Sequence, residues 1–204
     1  MQNLRFKTAA FLLVGLFAFG FTGPETNFAT YKADPAASTI KWKAAKVTGE
    51  HFGSIQLKEG AFEYSDGKLI GGSFTVNMQT ITVEDIKDPG MNGKLTGHLK
   101  SDDFFGVEKY PTSTFVVKQV VSRGKPGEYK VIGDITIKGI TKEIRFNAVV
   151  DTDASGKLHA KADIALDRTD YNVRYGSGSF FDDLGDRTIY DEFTLSIDVV
   201  GTEG

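Results

Sequence analysis

The sequence predicts an all-β protein, an eight-stranded antiparallel β-barrel with a short helix at one mouth. Eight stretches of about ten residues alternate apolar and polar side chains, as strands with one buried face do. The 204 residues include 23 Gly and only 5 Pro, which favours strands joined by tight turns. One segment between the third and fourth stretches has helical spacing instead. Eight strands can close around side chains or one small ligand, and a two-sheet sandwich is the alternative.

The N-terminal residues have the features of a secretory signal peptide. Two basic residues precede the apolar run Ala9 to Phe21, which is shorter than the roughly 20 residues of a membrane-spanning helix. We therefore expect residues 1–20 to be a signal peptide and the mature protein to be periplasmic or secreted; an uncleaved anchor is the alternative. We expect residues 21–37 to form a linker or an ordered lead-in and residues 38–201 to form the barrel domain.

The predicted strands follow one another in order. On the first three, the inward residues are predicted to be Ile40, Trp42 and Ala44, then Ile55, Leu57, Phe62 and Tyr64, then Ile70, Phe74, Val76 and Met78. The alternation slips at Glu59-Gly60, where a β-bulge would restore one apolar face. Ser65-Asp66-Gly67-Lys68 predicts a hairpin turn, because Asp-Gly is favoured where both central residues need positive φ. The third strand is expected to continue through Thr80 and Val83.

The five strands after the helical segment complete the barrel. Their inward residues are predicted to be Phe115, Val117 and Val121; Val131, Gly133, Ile135 and Ile137; Ile144, Phe146, Ala148 and Val150; Leu158, Ala160, Ala162, Ile164 and Leu166; and Phe193, Leu195, Ile197 and Val199. Several of these positions carry Gly or Ala. Either the interior has unfilled space with an apolar wall, which would form a dry pocket, or aromatic rings from facing strands fill it.

The helical segment lies within Gly93 to Pro111. Leu95 and Leu99 are four residues apart, Ser101-Asp102-Asp103 is predicted to be an N-cap and first turn, and Phe104-Phe105 follows at once. Such a segment must bury its apolar side. We expect it to lie across one mouth of the barrel as a plug or a lid.

Charge and composition exclude several classes of function. The formal net charge of −3 becomes more negative if residues 1–20 are removed, and a mildly acidic protein is a poor nucleic-acid binder. The chain has no Cys, so it has neither disulfides nor thiolate metal sites. His51, His98 and His159 lack the spacing of metal ligands, and no activated nucleophile is apparent, so no catalytic or metal-binding residue is assigned.

Three blocks in this chain match a known pattern. They are His98-Leu99-Lys100-Ser101-Asp102-Asp103-Phe104-Phe105 with Tyr110-Pro111 and Phe115; Gly133-Asp134-Ile135-Thr136-Ile137-Lys138-Gly139-Ile140-Thr141; and Arg168-Thr169-Asp170-Tyr171. They resemble the hallmark motifs of the YceI-like family of exported polyisoprenoid-binding proteins, over about Tyr31 to Val200. The resemblance implies a lipocalin-like barrel that encloses the tail of an isoprenoid lipid such as a quinone or polyprenyl phosphate. Asn172, where a glycine is expected, and the long loop Tyr175 to Tyr190 depart from the pattern.

For a ligand of this kind, we expect the inner face of the barrel to form the pocket wall and the helical segment to form the lid. The wall residues are Trp42, Phe74, Val76, Phe115, Val117, Ile135, Phe146, Ala160, Ala162, Ile164 and Leu195. The lid and head-group residues are Leu95, His98, Leu99, Phe104, Phe105 and Arg168. His98 could cap the helix, bind a head group or simply pack. Arg168 could pair with Asp170 or with loop backbone, or reach a phosphate or quinone oxygen.

The expected function is non-enzymatic binding, storage or transport of an isoprenoid lipid. No cofactor is required, no nucleic acid is expected as a partner, and transient membrane contact and dimerisation stay open. One alternative is an enzyme on a lipid-like substrate with His98 in the chemistry. Another is a solid-cored interaction module whose contact is the loop Tyr175 to Tyr190. The rings of Phe180-Phe181 in this loop either face outward or, as we expect, tuck under the barrel.

Overall fold

The computed structural model describes residues 27–204, which form ten strands, one α-helix and three short 3-10 helices. The expected signal peptide, residues 1–20, lies outside the described residues. The strands are β1 Phe28–Ala33, β2 Thr39–Lys46, β3 Gly49–Ser54, β4 Gln56–Ser65, β5 Lys68–Asn77, β6 Thr112–Ser122, β7 Glu128–Ile137, β8 Ile140–Thr152, β9 Leu158–Asp167 and β10 Ile189–Glu203. Helix α1 is Pro89–Lys100, and the 3-10 helices are Met78–Thr80, Arg168–Tyr171 and Gly185–Arg187.

The sheet closes on itself into a barrel. Strand β1 pairs with β4 on one side and with β10 on the other, and β4 to β10 pair successively in chain order. The pairings are antiparallel throughout. The predicted eight-stranded antiparallel barrel is therefore confirmed, with no free edge between β10 and β1.

Ten strands fill eight positions because two positions hold a kinked pair. Strands β1 and β2 lie end to end along β10, where Ala33 faces Gly201 and Ile40 faces Ile197. Strands β3 and β4 continue one another in the same way along β2 and β1. The kink between β1 and β2 is a turn in which the Asp34 carboxylate accepts the amide hydrogens of two following residues. The segment that was expected to be a linker or lead-in thus contains strand β1.

The third predicted strand is shorter than expected. Strand β5 ends at Asn77, whose side chain caps the 3-10 turn Met78–Thr80 and bends the chain away from the ladder. The Thr82 amide then donates to the Ser54 carbonyl at 2.9 Å, so this segment follows β3 without forming a strand. The expected continuation of the strand through Val83 is wrong, although Val83 is buried.

The pairing of β4 with β5 contains two register shifts. The slip predicted at Glu59-Gly60 is present but lies slightly earlier, between Leu57 and Glu59. A second shift, next to Tyr64, leaves Ile70 as an extra residue of β5. Ile70 is therefore 45% exposed, and its neighbour Leu69 is buried in its place.

Helix α1 starts earlier and ends earlier than predicted. The Asp88 carboxylate caps its start by accepting the Met91 amide at 2.8 Å, and Pro89 is its first residue. Ser101 is the C-cap rather than an N-cap, because its amide donates to the Gly97 and His98 carbonyls. The two acidic residues after Ser101 therefore lie in turns beyond the helix. We define the lid as α1 together with these turns, residues 89–110.

One expected gap in the interior is filled by an aromatic ring. A side chain added at Gly133 would come within 2.6 Å of the Phe115 ring and 2.5 Å of the Val116 carbonyl oxygen. The ring of Phe115 thus occupies the space that Gly133 leaves. At this position the filled-interior alternative is correct.

We predict that Gly133→Ala lowers the free energy of unfolding by about 1–3 kcal/mol, because the new methyl group overpacks against Phe115 and strand backbone. The control is Gly93→Ala in α1, where nothing lies within 4 Å of the added atom. That variant should be stabilised by up to about 1 kcal/mol, because Gly is a poor helix former. Urea unfolding measures both, and equal stability of the two variants would contradict the packing argument.

Candidate functional site

Two apolar cavities lie inside the barrel. The lid cavity, about 140 Å³, is bounded by Leu99, Phe104 and Phe105 from the lid. The distal cavity, about 130 Å³, reaches towards the other mouth, where Leu69 and Val150 line it. A solid core would leave no such space. The interior is therefore hollow in part, although the ring of Phe115 fills the gap at Gly133.

The two cavities adjoin one another. Four residues, which we call the waist, line both cavities: Ile40, Val76, Ile135 and Leu195. They come from four different strands, β2, β5, β7 and β10. The side chains of the waist therefore lie between the two cavities.

Every predicted wall residue lines a cavity. Phe74, Phe115, Val117, Phe146, Ala160, Ala162 and Ile164 line the distal cavity, Trp42 lines the lid cavity, and Val76, Ile135 and Leu195 line both. The alternation of inward and outward residues placed them correctly, because in an antiparallel barrel one phase of every strand faces the interior. Whether a ligand touches them stays a prediction.

The lid residues divide into two groups. Leu99, Phe104 and Phe105 line the lid cavity, and Leu99 and Phe104 are buried. Leu95 packs against the hydrophobic core but lines neither cavity, and His98 lines neither. Leu95 and His98 thus lie in the lid helix, as predicted, but neither side chain faces a cavity.

His98 serves as a packing residue between the lid and a loop. Its ring centroid lies 4.8 Å from that of Phe104 and 4.5 Å from that of Tyr175, with both rings edge to face. Its Nε2 atom is 3.5 Å from an oxygen of Asp103, which lies just beyond the end of the helix at Lys100.

Several residues that line the cavities were not among the predicted wall residues. Ile137, Ala148 and Val150 were predicted to face inward, so the alternation pattern could have assigned them to the wall. Ser113 lies two residues before Phe115 and shares its inward phase, but as a polar residue at the start of β6 it adds nothing to the apolar pattern. Ser113 is only 8% exposed, and its hydroxyl has no hydrogen-bond partner among the described residues. Leaving a buried hydroxyl unpaired costs about 1–3 kcal/mol.

The described residues also bear on metals and membranes. Within residues 27–204, no three His, Asp or Glu side chains are grouped so that they could hold a metal ion. None of the helices in this range is both long enough and apolar enough to span a bilayer.

The family assignment rests on the whole barrel. A family model described as the YceI-like domain matches residues 31–201. The chain belongs to the YceI-like family. Among curated relatives, a UPF0312 protein of Vibrio cholerae serotype O1 (strain M66-2) is 30% identical over 140 residues, 67% of this chain and 71% of the relative. A UPF0312 protein of Staphylococcus aureus (strain MSSA476) is 31% identical over 129 residues, 59% of this chain and 72% of that protein.

Solved structures share the YceI-like fold. BcnA of Burkholderia cenocepacia superposes with a TM-score of 0.63 at 21% identity, covering 83% of this chain and 99% of BcnA. A polyisoprenoid binding domain from Saccharophagus degradans, implicated in plant cell wall breakdown, gives a TM-score of 0.62 at 13% identity. That comparison covers 85% of this chain and 98% of the other. At these identities the likeness shows the fold alone.

In this YceI-like domain, Arg168 is buried and fastens a loop to the barrel. Its side chain is 5% exposed and lies beside the lid cavity. Its guanidinium donates to the carbonyl oxygens of Val173, Tyr175, Ile189 and Tyr190 at 2.8–3.1 Å. Burial acts to lower the pKa of Arg168, and the carboxylates of Asp191 and Asp167 oppose that shift.

These contacts answer the alternatives that the sequence left for Arg168. The guanidinium binds loop backbone, and its charge is balanced by Asp191 at 3.1 Å rather than by Asp170. Asp170 instead accepts a hydrogen bond from Lys142, also at 3.1 Å. The donors of Arg168 are thus committed to the fold, which leaves none directed at a ligand head group.

Asn172 and Phe180-Phe181, which the sequence singled out, both lie in the chain that follows Arg168. Asn172 has φ 58° and ψ 33°, the left-handed conformation that favours Gly and that Asn tolerates. Phe180 and Phe181 are 45% and 51% exposed, so the favoured expectation that they tuck under the barrel is wrong. The Arg174 guanidinium stacks over the Phe180 ring at 4.3 Å.

We predict that Arg168→Ala lowers the free energy of unfolding by about 3–5 kcal/mol, because four carbonyls and one partly buried carboxylate lose their partner. The matched control is Arg174→Ala in the same loop. Arg174 is exposed, so its removal should change stability by less than about 1 kcal/mol. Urea unfolding of both variants measures the difference. An Arg168→Ala variant as stable as the wild type would show that the loop does not depend on this side chain.

Proposed function

We propose that this protein binds an isoprenoid lipid in the barrel interior and acts as a non-enzymatic carrier or reservoir. The observation that carries the proposal is the pair of apolar cavities that adjoin at the waist inside a closed barrel. A long, narrow, apolar ligand is the class of molecule that such a space fits.

Two further observations support the lipid class. The family match covers nearly all of the described chain, and one solved structure of the same fold is a polyisoprenoid binding domain. Each cavity is close in volume to an engineered apolar cavity of about 150 Å³ that stays dry and binds benzene. One isoprene unit, a branched five-carbon group, is of that size.

The energetics favour a ligand that reaches beyond the two cavities. An isoprene unit contributes about 3 kcal/mol when buried, at about 0.8 kcal/mol per CH₂. Two units contribute about 6 kcal/mol, which lies near the lower end of the roughly 4–15 kcal/mol cost of association. Tight binding therefore needs a longer tail, which passes the waist and requires its four side chains to shift.

The positions of the reactive side chains favour a lipid carrier over an enzyme. His98, the residue on which an enzymatic reading depends, packs between Phe104 and Tyr175 and lines neither cavity. Arg168, which does line the lid cavity, donates to loop carbonyls. We further propose export from the cytoplasm, on the strength of the apolar run that follows two basic residues at the N-terminus.

We predict that Ala162→Trp blocks lipid uptake, because the indole would occupy the distal cavity that Ala162 lines. Native mass spectrometry of protein purified from its own membranes should show a bound lipid in the wild type and a loss of at least about tenfold in occupancy in the variant. The control is Ala165→Trp on the same strand, where the side chain is exposed.

The outcome is read only in folded protein. Circular dichroism checks folding, and Ala160→Trp provides a second test if Ala162→Trp is unstable, because Ala160 also lines the distal cavity. A folded Ala162→Trp with the lipid occupancy of the wild type would rule out the distal cavity as part of the site.

We also predict that affinity rises with the length of the tail. In a series of isoprenoid alcohols from geraniol upward, each added unit should strengthen binding by about tenfold or more until the interior is full. Competition against one labelled lipid measures the series. An affinity that does not change beyond two units would show that the waist stays closed.

A further inference from the structure

Ser113 places one hydroxyl group in the lid cavity. It faces Val76 of the waist across the β5–β6 ladder, so its side chain points inward like that of Phe115 two residues later. It is 8% exposed and carries the only hydroxyl among the described residues that line either cavity. Its Oγ atom has no hydrogen-bond partner in the described part of the chain.

The other polar side chains of the lid cavity are already engaged. The Trp42 Nε1 atom donates to the Thr82 carbonyl oxygen at 3.0 Å. The Arg168 guanidinium faces four carbonyls and Asp191. A buried water needs two to four polar partners, and Ser113 alone offers one such group. Water is therefore a poor partner for this hydroxyl, whereas a ligand that is apolar except for one oxygen matches it.

We propose that the Ser113 hydroxyl is the polar anchor of the bound isoprenoid and hydrogen-bonds an uncharged oxygen, a carbonyl or a hydroxyl, at one end of it. This inference rests on the proposed function and goes beyond it by assigning the head group and the orientation. The oxygen lies beneath the lid, and the hydrocarbon tail runs past the waist into the distal cavity.

The charges around the lid cavity select an uncharged head group. A phosphate needs a cation or several free donors when it is buried. The charge of Arg168 is balanced by Asp191, and Lys138 at the same mouth donates to the carbonyls of Asp102 and Asn172 without lining the cavity. Of the two ligand types that the sequence leaves open, the quinone fits this site and the polyprenyl phosphate does not.

The test compares four probes on the full chain after removal of co-purified lipid: geranylgeraniol, a quinone with the same tail, geranylgeranyl phosphate and the hydrocarbon without an oxygen. Ser113→Ala should weaken binding of the alcohol and the quinone by about tenfold and leave the hydrocarbon within about twofold. Thr114→Ala, the outward neighbour that faces Thr75 on β5, is the matched control and should change none of the four.

The outcomes separate this inference from the proposed function. Binding of none of the four probes to the wild type would overturn the proposed function itself. Binding of all four with an equal loss, or no loss, in Ser113→Ala would overturn the anchor alone, because a purely structural role affects every ligand alike. If the phosphate bound most tightly of the four probes, the assignment of an uncharged head group would be overturned. The affinities of the alcohol and the quinone together show whether a hydroxyl or a carbonyl oxygen is preferred.

Discussion

The closure of the sheet between β1 and β10 is the constraint on which the rest of the structure depends. Once the ladder is closed, the number and tilt of the strands fix the width of the barrel. The wall cannot move inward to replace missing side-chain volume, as packed helices could. Small inward residues such as Ala160 and Ala162 therefore leave space instead of a tighter core. The hollow is a consequence of hydrogen-bonded backbone geometry as much as of side-chain choice.

The lid end is built differently from the barrel wall. There, irregular backbone is held by a few buried polar groups, of which Arg168 is the most heavily used. The Lys138 ammonium adds a second tie by joining the lid turns to the turn at Asn172, and burial acts to lower the pKa of Lys138. The wall thus depends on its backbone ladder, whereas the mouth depends on side chains that bind backbone.

Sequence alone predicted the parts of the structure that follow from a simple period. The alternation of apolar residues located eight of the ten strands, all but β1 and β3, and the predicted residues of the cavity walls. The turn at Asp66-Gly67 has φ angles of 49° and 72°, as its residue types demand. The same reasoning failed where tertiary contacts decide. Ser101 has the features of an N-cap, but the true start of the helix was hidden by the weak helix formers Pro89 and Gly90. Ser113 shares the inward phase of Phe115, but that its hydroxyl is left without a partner depends on the side chains around it and not on the strand period.

The position of Trp42 has a practical consequence. It is the only tryptophan of the chain, it lines the lid cavity, and its indole is held in place by the Thr82 carbonyl. The polarity around that ring depends on what fills the cavity. If a ligand enters the lid cavity, light emitted by the indole would report its arrival without any added label. The position of Trp42 thus offers an internal optical probe of the barrel interior.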